Sequence, residues 1–248
     1  MAPNNNPTNT PIGAAMVIGG GIAGIQASLD LAESGIKVYL VERNSAIGGH
    51  MAQLDKTFPT NDCAMCIISP KLAEVSRHLN VEILTNTQVM GISGQPGNFD
   101  VTLRQQPRYV NVETCTGCGT CWQKCPERDI PSEFNQGLGT RTAIYVAYPQ
   151  AVPNVPVIDL PNCRYYRFRQ AKAEGRDTDE HGRKLPECRI CEKLCLAKSI
   201  AWDQQEQVIA KKVGAVVVAT GFDAYDARLS EEFGFGRYPN VVTSLQFE

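Results

Sequence analysis

Ala14-Ala-Met-Val-Ile18-Gly19-Gly-Gly21-Ile-Ala-Gly24-Ile-Gln-Ala-Ser-Leu-Asp-Leu-Ala-Glu33 reads as a strand, a glycine turn and a helix, in that order. The strand is the short apolar run from Ala14 to Ile18. The turn is G-x-G-x-x-G on Gly19, Gly21 and Gly24. The helix, Ile22 to Glu33, carries Ile25, Leu29 and Ala32 at helical spacing. Ser34-Gly35 ends it, Ile36 to Val41 is a second strand, and Glu42 closes that strand. In such a unit the first glycine makes the tight turn and the second lets a pyrophosphate approach the backbone. The third lets helix and strand pack closely. The positive end of the helix faces the phosphates. Glu42 lies eighteen residues past Gly24, placed to hydrogen-bond a ribose diol. A dinucleotide site on an α/β fold is the expectation.

Outward from that unit, Arg43 follows the acid and Gly48-Gly49 comes soon after. This arrangement resembles the two-dinucleotide-binding flavoproteins, where it marks FAD. Val213-Gly-Ala-Val-Val-Val-Ala-Thr220-Gly221 is similar to the strand that returns to the same flavin in that superfamily. The resemblance implies FAD in place of NAD, held at Gly19, Gly21, Gly24, Glu42, Arg43, Gly48, Gly49, Thr220 and Gly221. Between these landmarks, Leu72 to Leu79 is expected to be helical. Val81–Thr85, Thr87–Ile92 and Asn98–Arg104 read as strands. Val208–Lys212 is the expected antiparallel partner of the last, about a hundred residues later.

Cys63-Ala-Met-Cys66 precedes Ile-Ile-Ser69-Pro70-Lys71. The tail resembles that of the redox cysteine pair in glutathione-reductase-like enzymes, although those have four residues between the cysteines. Three readings stay open: a flavin-linked dithiol, two ligands of a further cluster, or two packed thiols.

Between the strands stands Cys115-Thr-Gly-Cys118-Gly-Thr-Cys121-Trp-Gln-Lys-Cys125-Pro126, which is C-x2-C-x2-C-x3-C-P. Bacterial-type ferredoxins use this run to hold a [4Fe–4S] cubane, with the fourth cysteine turned to a second cluster. Structural zinc is a poor fit, because zinc knuckles pair two cysteines with two distant ones. A second set follows: Cys163, then Cys188-Arg-Ile-Cys191-Glu-Lys-Leu-Cys195. Twenty-four residues separate Cys163 from Cys188, and Leu196 stands where a proline is usual. The charged stretch Arg164–Glu187 is expected to be a surface loop, with a [3Fe–4S] centre as the fallback if Cys163 does not bind. The pseudo-two-fold of two-cluster ferredoxins implies crossed sets. One is Cys115, Cys118, Cys121 and Cys195; the other is Cys163, Cys188, Cys191 and Cys125. It further implies that each fourth cysteine opens a helix, with Leu196, Ala197 and Ile200 packing between the clusters. Trp122 and Trp202 are expected in packing roles, and His50, His78 and His181 as structural or exposed.

The composition is that of an ordinary globular chain: 248 residues, 43% apolar, with a net charge of −2. That balance argues against nucleic acid or an anionic membrane as partner. No apolar run reaches membrane length and the Asn- and Pro-rich start does not read as a signal, so a cytoplasmic site without membrane insertion is expected. Reduced thiols there turn ten cysteines toward metal and redox work. The expected organisation is a disordered tail over 1–12, a flavin domain over 13–105, an inserted cluster domain over 106–206, and a return segment over 207–248.

Taken together, the flavin fingerprint, Cys-Ala-Met-Cys, the inserted cysteine runs, the spacer from Glu133 to Asn154 and Thr243-Ser-Leu-Gln-Phe247 resemble the heterodisulfide reductase A-subunit family. The resemblance runs from about Ala14 to Phe247. It implies an α/β, Rossmann-like FAD-binding domain of the glutathione/thioredoxin reductase type, with an inserted two-cluster ferredoxin-like α+β domain. It implies FAD and two [4Fe–4S] clusters in an oxidoreductase component that is not active alone. The partners implied are heterodisulfide reductase subunits B and C or their homologues, an electron-donor hydrogenase or dehydrogenase, and ferredoxin. Flavin-based bifurcation toward a disulfide such as CoM-S-S-CoB is the activity implied. Full-length members of the family are longer, so a fragment or split product is expected. Two other readings remain: a stand-alone pyridine-nucleotide disulfide oxidoreductase using Cys63 and Cys66, and a non-catalytic docking module.

Overall fold

The computed structural model describes residues 11–176, 178, 182, 184 and 186–248. Residues 1–10 of the expected tail over 1–12, and His181, lie outside the described residues. The chain divides into two compact units. One runs up to Gln106 and resumes over Gln205–Asp226; the other is Pro107–Gln204 with Ala227–Glu248. The sequence reading kept 207–248 whole with the first unit; the structure groups its last part, Ala227–Glu248, with the second.

The first unit is built on β1 (Ala14–Ile18), α1 (Ile22–Glu33), β2 (Lys37–Val41), α2 (Ala64–Arg77), β3 (Val81–Leu84), β4 (Thr87–Gln95), β5 (Asn98–Gln105), β6 (Gln207–Val213) and β7 (Ala215–Val218). Four strands form a parallel sheet in the order β7-β1-β2-β3. Ile18 is in register with both Val41 and Val218, so three strands end together at the glycine turn. Parallel strands need crossovers, and α1 and α2 supply two of them. Val17, Ile25, Leu29, Val38, Leu40, Ile68, Leu72 and Val75 are sealed from solvent between sheet and helices. Each contributes about 2 kcal/mol by burial. A second, antiparallel sheet in the order β6-β5-β4 packs against the edge of this core through Val101, Leu103 and Val213. Val208–Lys212 does pair with Asn98–Arg104 as expected, Lys212 opposite Asp100 and Val208 opposite Arg104. The Rossmann-like α/β class is therefore the observed one.

Two expectations need correction. The helix expected over Leu72–Leu79 begins at Ala64 and ends at Arg77. Pro70 lies inside it. A proline removes one backbone donor, but Ala64, Ile68, Leu72 and Val75 form one buried stripe across that point, and this burial holds the helix together.

The second correction concerns Arg164–Glu187, expected to be loop throughout. Its first part, Arg164–Ala173, is α4. Tyr165, Tyr166 and Phe168 are half-buried and Ala171 is buried, which anchors a stretch too polar to show an apolar period.

The second unit has little regular structure. Two-residue ladders join Ile130–Pro131 to Thr140–Arg141, and Ile144–Tyr145 to Val157–Ile158. α3 (Thr120–Gln123) and α5 (Ile190–Lys193) are single turns that pack together. The core is Val110, Ala143, Ile144, Val155 and Ile158, with Cys125 buried among them. Trp122 and Trp202 pack against it, as expected. Among the described residues no helix is long and apolar enough to cross a membrane.

Candidate functional site

The glycine turn of the first unit sits where β1, β2 and β7 end. Gly19 N–H donates to the Val41 carbonyl at 2.8 Å, and Ala219 N–H to the Ile18 carbonyl at 2.8 Å. Gly19 has φ +109°, and a Cβ there would lie 2.2 Å from the Ala219 carbonyl oxygen. A Cβ on Gly24 would lie 1.9 Å from the Gly19 carbonyl oxygen, so α1 meets the turn only because the side chain is missing. Gly21 differs: nothing lies within 4 Å of its Cβ position. It is the N-cap of α1, and no side chain caps the free amides that follow. That open, donor-rich surface fits a dinucleotide pyrophosphate.

Around it, Glu42 is buried, 6% exposed. Its carboxylate accepts Gly20 N–H and Asn44 N–H, each at 2.8 Å. The acid thus ties the turn to the end of β2, while each oxygen keeps a further lone pair. Gly48 N–H donates to the Gly20 carbonyl at 2.7 Å, and a Cβ on Gly49 would come within 3.0 Å of Gly21 Cα. The Gly48-Gly49 loop is therefore folded onto the glycine turn. Thr220 and Gly221 are exposed just past β7. Arg43 is an exposed residue that pairs with Asp223 at 2.9 Å.

One link in this unit was not legible from spacing. His50 Nε2 lies 2.9 Å from the Phe222 carbonyl, and the His50 ring stacks on Phe222 with centroids 4.7 Å apart. The pair joins the Gly-Gly loop to the return segment. His50 has the structural role expected of it; only its stacking partner carried no sequence signal.

Cys63 and Cys66 are bonded to one another as a disulfide. Cys63 is the N-cap of α2, and its sulfur accepts Cys66 N–H at 3.2 Å. Three residues per step put both sulfurs on the first turn, and that geometry allows the bridge.

In the second unit the eight other cysteines are free thiols. They sort into two groups. Cys115, Cys118, Cys121 and Cys195 line one cavity, together with Val110, Trp122 and Leu196. Cys125, Cys163, Cys188 and Cys191 line another, with Ile144, Ile158 and Arg164. Among the described residues no three His, Cys, Asp or Glu side chains are placed to hold a metal ion. Four thiols arranged round a void suit a larger inorganic core better than one zinc ion. Gly117 at φ +67° lets the first loop fold tightly.

Burial pushes the Cys121 thiol up to about 11 and the Cys191 thiol up to about 12, and raises Cys163 as well. Hydrogen bonds from Thr120 lower exposed Cys118. Arg108, only 5% exposed, donates to the Val155 carbonyl at 2.7 Å. Burial lowers its pKa to about 10 against an opposing pull from the nearby Cys115. A buried cation beside these cysteines had no motif to announce it.

Two details of the ferredoxin picture are corrected here. Neither Cys125 nor Cys195 opens a helix; α3 and α5 carry the preceding cysteines, Cys121 and Cys191, and end before them. A C-x3-C step spans one helical turn, and that turn is the helix. Leu196 does not pack between the groups; it is fully exposed.

The comparisons with known proteins follow the same division. The family model described as FAD dependent oxidoreductase matches residues 15–106, and that described as 4Fe-4S binding domain matches residues 108–130. The iron-sulfur A subunit of CoB-CoM heterodisulfide reductase from Methanocaldococcus jannaschii is 47% identical over 235 residues, 95% of this chain and 32% of its own length. Over nearly its whole length the chain is similar to heterodisulfide reductase A subunits. The A subunit of H(2)/formate:CoB-CoM heterodisulfide,ferredoxin reductase from Methanococcus maripaludis is also 47% identical, over 95% of this chain and 32% of that protein. The A subunit of ferredoxin:CoB-CoM heterodisulfide reductase from Methanosarcina mazei is 39% identical, over 94% of this chain and 27% of that protein. The chain spans about a third of the length of the curated relatives it matches. The second cysteine group, apart from Cys125, lies outside the matched 108–130 segment.

Proposed function

We propose that the chain is an iron–sulfur flavoprotein segment of a heterodisulfide-reductase-like complex, moving electrons between FAD and two [4Fe–4S] clusters. The observation that carries this reading is the sorting of eight free cysteines into two groups of four, each completed by the fourth cysteine of the other run. Cys115, Cys118, Cys121 and Cys195 would hold one cluster, and Cys125, Cys163, Cys188 and Cys191 the other. The open face at Gly21, with Gly19, Gly24, Glu42, Gly48, Gly49, Thr220 and Gly221 around it, would hold FAD. Bound FAD exchanges electrons in pairs or singly, and each cluster exchanges them one at a time. The chain's own residues would bind and orient these groups: the α1 amides would face the pyrophosphate, the glycines would admit it, and the cysteine thiolates would ligate the iron. Arg43, paired with Asp223 at the surface, is the least supported member of the proposed flavin set.

Bifurcation is the finer reading, and it follows the relatives. One electron would go to a ferredoxin and the other toward subunits B and C or their homologues, with a hydrogenase or dehydrogenase as donor. The names of relatives that pair heterodisulfide with ferredoxin support it. A cytoplasmic location belongs to the same reading. For Cys63 and Cys66, the disulfide favours a redox pair over cluster ligands.

Iron, sulfide and FAD counted in anaerobically purified protein test the main reading, with eight iron atoms per flavin expected from two cubanes. The ligand sets have their own test. Cys195→Ala should damage the cluster of Cys115, Cys118 and Cys121 and leave that of Cys188 and Cys191 intact in EPR spectra. Cys163→Ala should do the reverse. Loss of the Cys188 centre in Cys195→Ala, with the Cys115 centre intact, would mean uncrossed sets.

A further inference from the structure

The segment between Cys163 and Cys188 separates two cysteines of one group by a helix that this group does not need. α4 begins at its N-cap, Cys163, and its first residue, Arg164, lines the cavity of the second group. Its sequence, Arg164-Tyr-Tyr-Arg167-Phe-Arg169-Gln-Ala-Lys172-Ala173, holds four cations and no acid. α2 mixes the two signs with Lys71, Glu74 and Arg77, and α1 carries only Asp30 and Glu33. α4 is thus a densely cationic helix in a chain of net charge −2.

Within α4 the cations divide. Arg164 and Arg167 are both held by Glu127, at 2.6 and 3.1 Å. They brace the helix on the segment that follows Cys125. Arg169 and Lys172 are exposed. Each lies over an aromatic ring of its own helix, Tyr165 and Phe168, at 5.9 Å. Among the described residues no carboxylate pairs with either. Arg189, beside Cys188, sits 5.4 Å from the Tyr165 ring and adds a further cation to this side, although Glu192 compensates it.

We propose that α4 is the docking face for an acidic one-electron carrier protein that exchanges electrons with the group held by Cys125, Cys163, Cys188 and Cys191. The inference rests on the cluster reading given above. Electron tunnelling falls steeply with distance, so a partner must sit beside the group it serves, and α4 starts at one of that group's cysteines. Complementary charge speeds and orients such encounters without demanding a large apolar interface. In the exchange the reduced carrier loses one electron, the group held by the four cysteines gains it, and no bond is made or broken. The reverse direction uses the same face.

The test uses the full chain with its flavin and iron. A reduced acidic ferredoxin is the probe, and methyl viologen radical cation is the small-molecule control. Cluster bleaching is followed by stopped flow at several salt concentrations. Arg169→Glu with Lys172→Glu should slow reduction by the ferredoxin roughly tenfold at low salt and flatten the salt dependence. Reduction by methyl viologen should not slow. Arg169→Gln with Lys172→Gln should fall between. Lys124→Glu with Lys198→Glu changes net charge equally, at exposed positions off this helix, and should have a much smaller effect.

Equal slowing by the two reversals would overturn the proposal, as would an unchanged ferredoxin rate in the first variant. Tighter binding to phosphatidylglycerol vesicles than to the ferredoxin would overturn it too. Failure of the underlying reading looks different: the unsubstituted protein would then carry no iron.

Discussion

At the scale of single residues, three glycines of one motif have three different environments. Cβ positions at Gly19 and Gly24 collide with backbone oxygens at 2.2 and 1.9 Å, whereas Gly21 faces open space. Gly21 also has φ −76°, a conformation any residue accepts. Gly21→Trp should therefore fold normally and lose FAD affinity by at least about a hundredfold, near 2.7 kcal/mol. Flavin fluorescence on titration reads the affinity, and the thermal midpoint reads the fold. A folded Gly21→Trp protein that keeps stoichiometric FAD would remove the pyrophosphate from this position. Gly24→Ala should do the opposite first, lowering stability by about 1–3 kcal/mol because backbone must move. The motif was legible because each glycine answers a local steric demand. Arg108 was not, because one buried arginine before a cysteine run has no period and no spacing. The exposure of Leu196 was equally silent, since an apolar residue after Cys195 reads as core.

Among the elements, β1, α1, β2 and the strands after them were readable because each hides one face from water, and that leaves a period in the sequence. α2 reaches further back than the expected Leu72 start because the buried stripe Ala64, Ile68, Leu72 and Val75 continues through Pro70. α4 was missed because four cations hid three aromatic anchors. The start of α2 sharpens a test of the Cys63–Cys66 pair. Cys63 caps the helix through its sulfur, and serine is a better cap than cysteine. Cys63→Ser with Cys66→Ser should therefore leave α2 and the thermal midpoint nearly unchanged. A redox pair predicts unchanged iron and the loss of two titratable thiols after reduction. Loss of iron in the double variant would instead make the two cysteines ligands. If neither iron nor activity responds, they are packed thiols.

Across the whole molecule the two units differ in what holds them together. The first has a four-stranded parallel sheet, two helices of 12 and 14 residues, and a second sheet of three strands. It can bury enough apolar surface to be stable alone. Among the described residues the second has a small apolar core, Val110, Ala143, Ile144, Val155 and Ile158 with Cys125, and a few further buried residues such as Tyr148 and Ala151, with two single-turn helices and two-residue ladders around it. Small units with so little core depend on metals or crosslinks. Metal binding energy is then folding energy. The cysteines point the same way: burial pushes Cys121 and Cys191 up to about 11 and about 12, so thiolates there are costly, and in the proposed ligation iron would compensate them. Iron loading must release protons, and the holo form gains most over the iron-free form as pH rises toward the ordinary thiol range. Anaerobic chelation of iron should therefore unfold the second unit and spare the first. Hydrogen exchange by mass spectrometry reads this directly. Peptides from Pro107–Gln204 should lose at least tenfold protection, those from β1, α1 and β2 should keep theirs, and FAD should stay bound. Chelation should also run faster at pH 6 than at pH 8. Full protection of Pro107–Gln204 in the iron-free protein would mean that its small apolar core suffices, and that the proposed clusters ride on a fold they do not stabilise.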